Sequence, residues 1–282
     1  MNNTKPMITR ATNNGSKLNY TVRGEGQPVI LIHGIAASLF DWRFLIPELA
    51  DNGYRAYALD LLGHGESPKP DDPEAYRFET LSRQLADWIS SLGLEEPVNL
   101  IGHSLGGSFG LDYAARHPGQ VKSLILVDPY YRLKQLSPFL SAANRRPAIA
   151  EKALRMVPEW IVTAVMSWGV KPRSELSRQV RLQIAEDYRR ATPHIIRITH
   201  TLPDLGQEIT KIRSKTLVVW GENDLTLNTA SFPALVNQIP NATDYVIRSC
   251  GHQPHLVKPD LFNRIVLDFL AGSNGSESEK AI

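Results

Sequence analysis

The pentapeptide Gly102-His103-Ser104-Leu105-Gly106 sets a serine between glycines at the spacing of a sharp strand-to-helix turn. An apolar segment, Val98 to Ile101, runs directly into it, and a helical pattern begins near Gly107. Small residues two before and two after the serine let the backbone fold tightly and present the hydroxyl at the carboxyl edge of a sheet. There the backbone N–H of Leu105, at a helix N-terminus, points at negative charge developing on an attacked carbonyl oxygen. The chemistry on offer is nucleophilic attack by Ser104. A phosphate loop does not fit, because Gly107 is followed by Ser108-Phe109 and no lysine is placed to reach phosphate.

A serine hydroxyl is a poor nucleophile until a neighbouring base takes its proton. The chain has eight histidines. His33, His64 and His103 sit beside glycines in tight loops, His117 ends a helix, and His194 and His200 fall in a helical stretch. His252 and His255 remain, in the loop after the final strand, and His252 follows that strand more closely. The acid is expected between serine and histidine in chain order. Asp224, just beyond the strand Thr216–Trp220, is the first choice, with Asp128 and Glu222 as competitors. A second oxyanion donor is expected from the tight turn His33-Gly34-Ile35, at the N–H of Ile35. His33 itself is expected to hydrogen-bond neighbouring loops, and Cys250 to be a small buried residue rather than a second nucleophile.

These side chains need a scaffold, and the chain alternates between strand and helix signals. Met7–Thr12 and Lys17–Val22 flank Asn13-Asn14-Gly15, a hairpin signal. Apolar runs follow at Val29–Ile32, Arg55–Leu61, Val98–Ile101, Ser123–Val127, Thr216–Trp220 and Tyr245–Ile247. Such runs suit strands of a parallel sheet covered on both faces. Thr80–Leu92 and Ser108–His117 supply covering helices. The pattern is α/β.

Between Asp128 and about Ser214 only helical patterns occur, at Pro147–Met156 and at Ser174–Arg190, where Leu176, Val180, Ile184 and Tyr188 recur at four-residue steps. The expected organisation is a core at residues 1–128, a helical cap at 129–206, the core resumed at 207–271 and a disordered tail at 272–282. Trp160 to Trp168 is apolar nearly all round, so Trp160, Met166 and Trp168 are candidates to line a substrate pocket. Packing within the cap itself explains each of them equally well. Arg145, Arg146, Arg189 and Arg190 read as a solvated helix face.

The bulk numbers exclude several classes. A net charge of +2 over 282 residues offers no basic patch for nucleic acid. One cysteine rules out an intramolecular disulfide framework or a multi-cysteine zinc site. The polar segment Met1 to Thr12 has no signal-peptide core, and the apolar run Trp160 to Val170 is well short of the roughly 20 residues that span a bilayer. A cytoplasmic protein without stable membrane insertion is expected; the oligomeric state is not encoded legibly.

The chain resembles the α/β-hydrolase superfamily from about Asn19 to Leu270. The likeness rests on five features in the family's order: His33-Gly34 after a strand, Asp60 to Ser67, Gly102 to Gly106, Gly221 to Asp224, and Gly251-His252. The resemblance implies an eight-stranded, mostly parallel sheet flanked by helices, with the block Pro129–Asp204 as a cap. It implies Ser104, Asp224 and His252 as a triad and Ile35 and Leu105 as oxyanion donors. Haloalkane dehalogenases and epoxide hydrolases place aspartate where this chain has Ser104, which disfavours those reactions. Proline iminopeptidases usually carry Gly-Gly-Ser-Trp-Gly, absent here. Meta-cleavage hydrolases usually have tryptophan after the histidine, where Gln253 stands. Many relatives have glutamate five residues after that histidine, where Val257 stands.

The expected reaction is two-step acyl transfer on an ester-type bond of a small, partly apolar substrate, with no metal and no organic cofactor. Its activity should rise with pH as His252 becomes neutral. Cofactor-free perhydrolysis and C–C bond hydrolysis use the same triad and stay open as alternatives. A ligand receptor that keeps the triad is the rival from another class.

Overall fold

The computed structural model describes residues 18–136, 141 and 176–272. Seven strands form one sheet: β1 (Tyr20–Arg23), β2 (Gln27–Ile32), β3 (Tyr54–Leu59), β4 (Val98–His103), β5 (Val121–Val127), β6 (Lys215–Gly221) and β7 (Ala242–Ile247). Their order is β1-β3-β2-β4-β5-β6-β7. Only β1 runs antiparallel to its neighbour β3; every other pair is parallel. Seven of the expected segments are thus strands of one sheet. The eighth, Met7–Thr12, lies outside the described residues, so the described sheet has seven strands where eight were expected.

The continuous apolar runs have a direct cause. In β2, Val29 and Leu31 face one layer while Ile30 and Ile32 face the other, and all four are fully buried. Helix α1 (Leu45–Asp51) and the C-terminal helix α8 (Pro259–Leu270) cover the first face with Leu45, Leu49, Phe262 and Val266, joined by Trp42 from the 3₁₀ turn before α1. Helices α2 (Phe78–Ser91) and α3 (Leu105–Arg116) cover the second with Leu85, Trp88 and Phe109. Phe78 and Phe109 stack with ring centroids 4.8 Å apart. Truncating any one of these aromatics costs about 3–5 kcal/mol.

Among the described residues between β5 and β6, the regular elements are helical. Helix α4 (Arg178–Arg190) starts on Ser177, whose side chain accepts from the Val180 N–H, and α5 (Ile196–His200) follows after a short 3₁₀ turn. This stretch is tied to the core. Thr192 N–H donates to Gly63 O at 2.9 Å, and Phe78 N–H donates to Thr201 Oγ1 at 2.8 Å. Ile195, Ile198, Leu202 and Leu205 join the α2–α3 side of the core. Helix α6 (Ser231–Gln238) and the single turn α7 (Pro254–Val257) complete the elements used below. No described helix is long and apolar enough to cross a membrane. Pro147–Met156, Trp160–Trp168 and the tail from residue 273 lie outside the described residues.

Strand order reverses at β2 and β4. From β2 the chain passes to β3 on one side, while β4, β5, β6 and β7 extend the sheet on the other. The crevice at the carboxyl ends of strands flanking such a reversal is where open α/β sheets bind ligands. Here it receives the loop after β2, with Gly34 and Ile35, and the turn after β4, with Ser104.

Candidate active site

Ser104 is the single residue between β4 and α3, and it is forced into φ +52°, ψ −113°. A non-glycine residue with positive φ carries strain, and this one holds its hydroxyl clear of both elements. The neighbouring glycines are there for space. A Cβ on Gly102 would overlap the Gly106 carbonyl oxygen, and one on Gly106 would overlap that of Ile32. The turn is anchored by Ser104 N–H on Val127 O at 2.9 Å and by Tyr130 N–H on Ser104 O at 3.0 Å.

The loop after β7 returns His252 to this turn. His252 Nε2 lies 3.0 Å from Ser104 Oγ, and His252 Nδ1 lies 2.7 Å from Asp224 Oδ2. An anionic carboxylate only accepts, so Nδ1 carries the proton and Nε2 is left to accept from Ser104. Asp224 Oδ1 accepts from the N–H groups of Thr226 (2.7 Å) and Leu227 (3.1 Å), which fixes the carboxylate plane. Burial pushes the Asp224 carboxyl up, but the charge of His252, its hydrogen bond and these two N–H groups outweigh that and leave it lowered. Ser104, His252 and Asp224 are all buried, at 6%, 9% and 8% exposure, so their interactions escape most solvent screening.

Asp128, the competing acid, is brought close but plays a different part. It sits at φ +41° beyond β5, and its Oδ1 accepts from the Gly221 N–H at 3.1 Å. Burial, followed by the charge of Asp224, raises its carboxyl well above the usual range, the opposite direction to Asp224. Glu222 faces away, with Oε2 accepting from the Ser249 N–H at 3.0 Å.

The two expected oxyanion donors lie at the start of α3 and in the loop after β2. Leu105 is the first residue of α3, a position where a helix N–H has no carbonyl one turn earlier to bond. Ile35 precedes Ala36, at φ +56°, in the turn after β2. That turn is braced by Asp60, whose Oδ1 accepts from Leu39 N–H (2.7 Å) and whose Oδ2 accepts from Glu66 N–H (2.8 Å). His33 accepts at Nε2 from Leu61 N–H (3.0 Å), so its Nδ1–H donates to Gly34 O (2.7 Å). It ties loops together, as expected of it, and burial, the largest cause, lowers its basicity.

Trp160, Met166 and Trp168 fall outside the described residues. Arg145 and Arg146 do as well, while Arg190 pairs with Glu66. Val257 is buried in α7 on the α1–α8 side of the core, so an apolar contact stands where many relatives place a carboxylate. Cys250 is fully buried in the same layer. Sequence reasoning missed a second buried group, Asp41, His103 and His255, directly behind His252. The signal the sequence offers for it is the place of His103 directly beside Ser104. Among the described residues this group, and that of Asp128, Asp224 and His252, each hold ligand-type atoms within 4.8 Å of one another.

Residues 27–259 match the family model described as the alpha/beta hydrolase fold. The chain belongs to the α/β-hydrolase family. It is 30% identical over 264 residues to the 2-hydroxy-6-oxo-6-(2'-aminophenyl)hexa-2,4-dienoic acid hydrolase of Metapseudomonas resinovorans, covering 91% of this chain and 88% of that protein. It is 28% identical to the pimeloyl-[acyl-carrier protein] methyl ester esterase of Aeromonas hydrophila, over 88% of this chain and 96% of the relative. A thermophilic esterase from Thermogutta terrifontis superposes with a TM-score of 0.80 at 23% identity, covering 94% and 97% of the two chains. That last likeness concerns the fold alone.

Proposed function

We propose that this α/β-hydrolase family member is a serine hydrolase that cleaves an ester-type bond of a small, partly apolar substrate through an acyl-enzyme. The observation that carries the reading is the buried relay Ser104 Oγ–His252 Nε2 (3.0 Å) and His252 Nδ1–Asp224 Oδ2 (2.7 Å). Ser104 attacks the carbonyl carbon while His252 takes the hydroxyl proton, and Asp224 stabilises the imidazolium that forms. The N–H groups of Ile35 and Leu105 receive the oxyanion. His252 then protonates the leaving alcohol, and water activated by the same ring releases the acid. Residues 129–206 serve as the cap that shapes the acyl pocket, with Trp160, Met166 and Trp168 as candidate lining, and the reaction needs no metal or organic cofactor.

The test is hydrolysis of p-nitrophenyl esters from acetate to dodecanoate by wild type and Ser104→Ala. Turnover by wild type that the variant loses supports the reading, and the preferred chain length sizes the pocket. Equal activity in both removes Ser104 from the mechanism.

A second reading, C–C bond hydrolysis, draws on the similarity to the dienoic acid hydrolase. Gln253 in place of the tryptophan usual in that group weighs against it. A chain inert on every ester but active on a 2-hydroxy-6-oxo-dienoate would reverse the preference.

A further inference from the structure

Behind His252 lie three buried polar side chains that the proposed reaction leaves unused. Asp41 comes from the 3₁₀ turn Leu39–Trp42, His103 from the last position of β4, and His255 from α7. Their exposures are 3%, 3% and 2%. His103 Nδ1 is 3.5 Å from Asp41 Oδ2, and His255 Nε2 is 3.9 Å from the same oxygen. None of these three atoms has a hydrogen-bond partner within normal geometry. Trp42 closes the group on one side with its ring centroid 5.0 Å from that of His255. Gly34 closes it on another, where a Cβ would stand 2.9 Å from His103 Nδ1.

The other nitrogen of His103 is committed. Its Nε2 is 2.8 Å from the carbonyl oxygen of His252. A carbonyl oxygen only accepts, so Nε2 carries a proton. If Nδ1 were bare, its lone pair would face the Asp41 carboxylate in a site without water screening, which is repulsive. A proton on Nδ1 converts the contact into an ion pair, and the ring then holds two protons.

The surrounding charges leave that role to His103. Asp41 is ionised: burial pushes its carboxyl up, but the 3.5 Å contact with His103 and the charges of His255, His103 and His33 bring it down to about 2. His255 is neutral, because burial and the neighbouring His103 lower it well below the ordinary histidine range. Burial likewise lowers His33, on the loop after β2. The charge of Asp41 also reaches Arg43, just after the 3₁₀ turn, and Asp187 on α4. His252 faces His103 with ring centroids 5.0 Å apart and is engaged with Asp224 and Ser104.

We infer that His103 is an imidazolium held by Asp41 and that its Nε2–H clamps the backbone of His252, making Asp41 and His103 positioning residues for the reacting pair. The clamp rests on the proposed roles of Ser104 and His252. It explains why a bulky polar residue stands beside the nucleophile: the carbonyl of His252 lies behind the turn, and a side chain at position 103 reaches it from β4. A displacement of about 1 Å in the base costs on the order of a hundredfold in rate.

Two measurements on the full chain test this. Nitrogen-15 spectra of histidine-labelled protein at about pH 7.5 are expected to show one ring with both nitrogens protonated. That signal should vanish in His103→Gln and give way to a neutral ring in Asp41→Asn. The second is the rate at which an aryl fluorophosphonate phosphonylates Ser104. His103→Leu should slow it roughly ten- to a hundredfold, and His103→Gln, whose amide can still donate to the His252 carbonyl, should regain most of the loss. Absence of a doubly protonated ring, or its persistence in Asp41→Asn, overturns the inference. So does stoichiometric zinc in wild type that Asp41→Asn releases, since a metal would then bridge the two acceptors. Equal slowing in Gln and Leu variants overturns the clamp, and if His103→Leu does not fold, the spectra of wild type and Asp41→Asn decide. A wild-type Ser104 inert to the probe in a protein that shows the imidazolium overturns the hydrolase reading and the clamp, and leaves the buried pair standing.

Discussion

His252 Nε2 stands 3.0 Å from Ser104 Oγ, although 148 positions separate the two residues in the chain. The sheet creates that proximity: β4 delivers the serine at a strained turn, and the loop after β7 brings the histidine back across β5 and β6. Asp224, at the end of β6, lies on that route and reaches the far side of the same ring at 2.7 Å.

Removing the proton-orienting acid should be costly while the fold survives. Asp224→Asn leaves the shape nearly unchanged but offers His252 Nδ1 an amide, which favours the wrong tautomer. Ester turnover should fall about 10⁴-fold with little change in KM. Steady-state kinetics on a p-nitrophenyl ester check this. A loss of less than about tenfold would show that Asp128, next to Asp224, had taken over the role.

The nucleophile turn has no room at Gly106. A Cβ there overlaps the Ile32 carbonyl oxygen in the adjacent strand β2, so Gly106→Ala must shift α3 away from β2. The expected cost is about 1–3 kcal/mol of stability, together with a large loss of Ser104 reactivity. Thermal unfolding and phosphonylation rates measured side by side would show it. A variant with wild-type values for both would mean that the turn relaxes freely.

Two buried carboxyls, Asp187 and Asp41, should give stability opposite dependences on pH. Burial, the largest cause, raises Asp187 to about 6, so its unfolded form releases a proton first. Stability should therefore fall as pH rises from about 4 to about 6, by roughly 2 kcal/mol, and Asp187→Asn should flatten that decline. Asp41 is held at about 2 by the contact with His103 and the nearby histidine charges, against its burial. Its contribution is present above about pH 4 and lost as pH falls towards 2, a loss that Asp41→Asn should blunt. Denaturant unfolding across pH 2 to about 7 separates the two, and a slope of the other sign in either window would refute the assignment.

Much of this was legible in the sequence because buried parallel strands must be apolar on both faces. Val29–Ile32 and Ser123–Val127 could therefore be read without structural help. The edge strand β7 is largely exposed, and only its end, Tyr245–Ile247, stood out. The glycines around Ser104 also read directly, since only a tight turn needs them. Asp128 and Asp224 were harder to separate, as both end neighbouring strands. What distinguishes them is which carboxylate faces the ring and which accepts from Gly221 N–H, a matter of a few ångströms that chain spacing does not encode. The Asp41–His103–His255 group was illegible for a related reason: its contacts join the loop after β2, the end of β4 and α7, and each residue taken alone looks like ordinary loop chemistry.

Mass spectrometry of the full chain after reaction with an aryl fluorophosphonate shows directly whether Ser104 is the nucleophile. One adduct per chain is expected, mapped to Ser104, absent in Ser104→Ala and formed at least about 10³-fold more slowly in His252→Gln. No adduct on folded wild type, or an adduct on another residue, would contradict it.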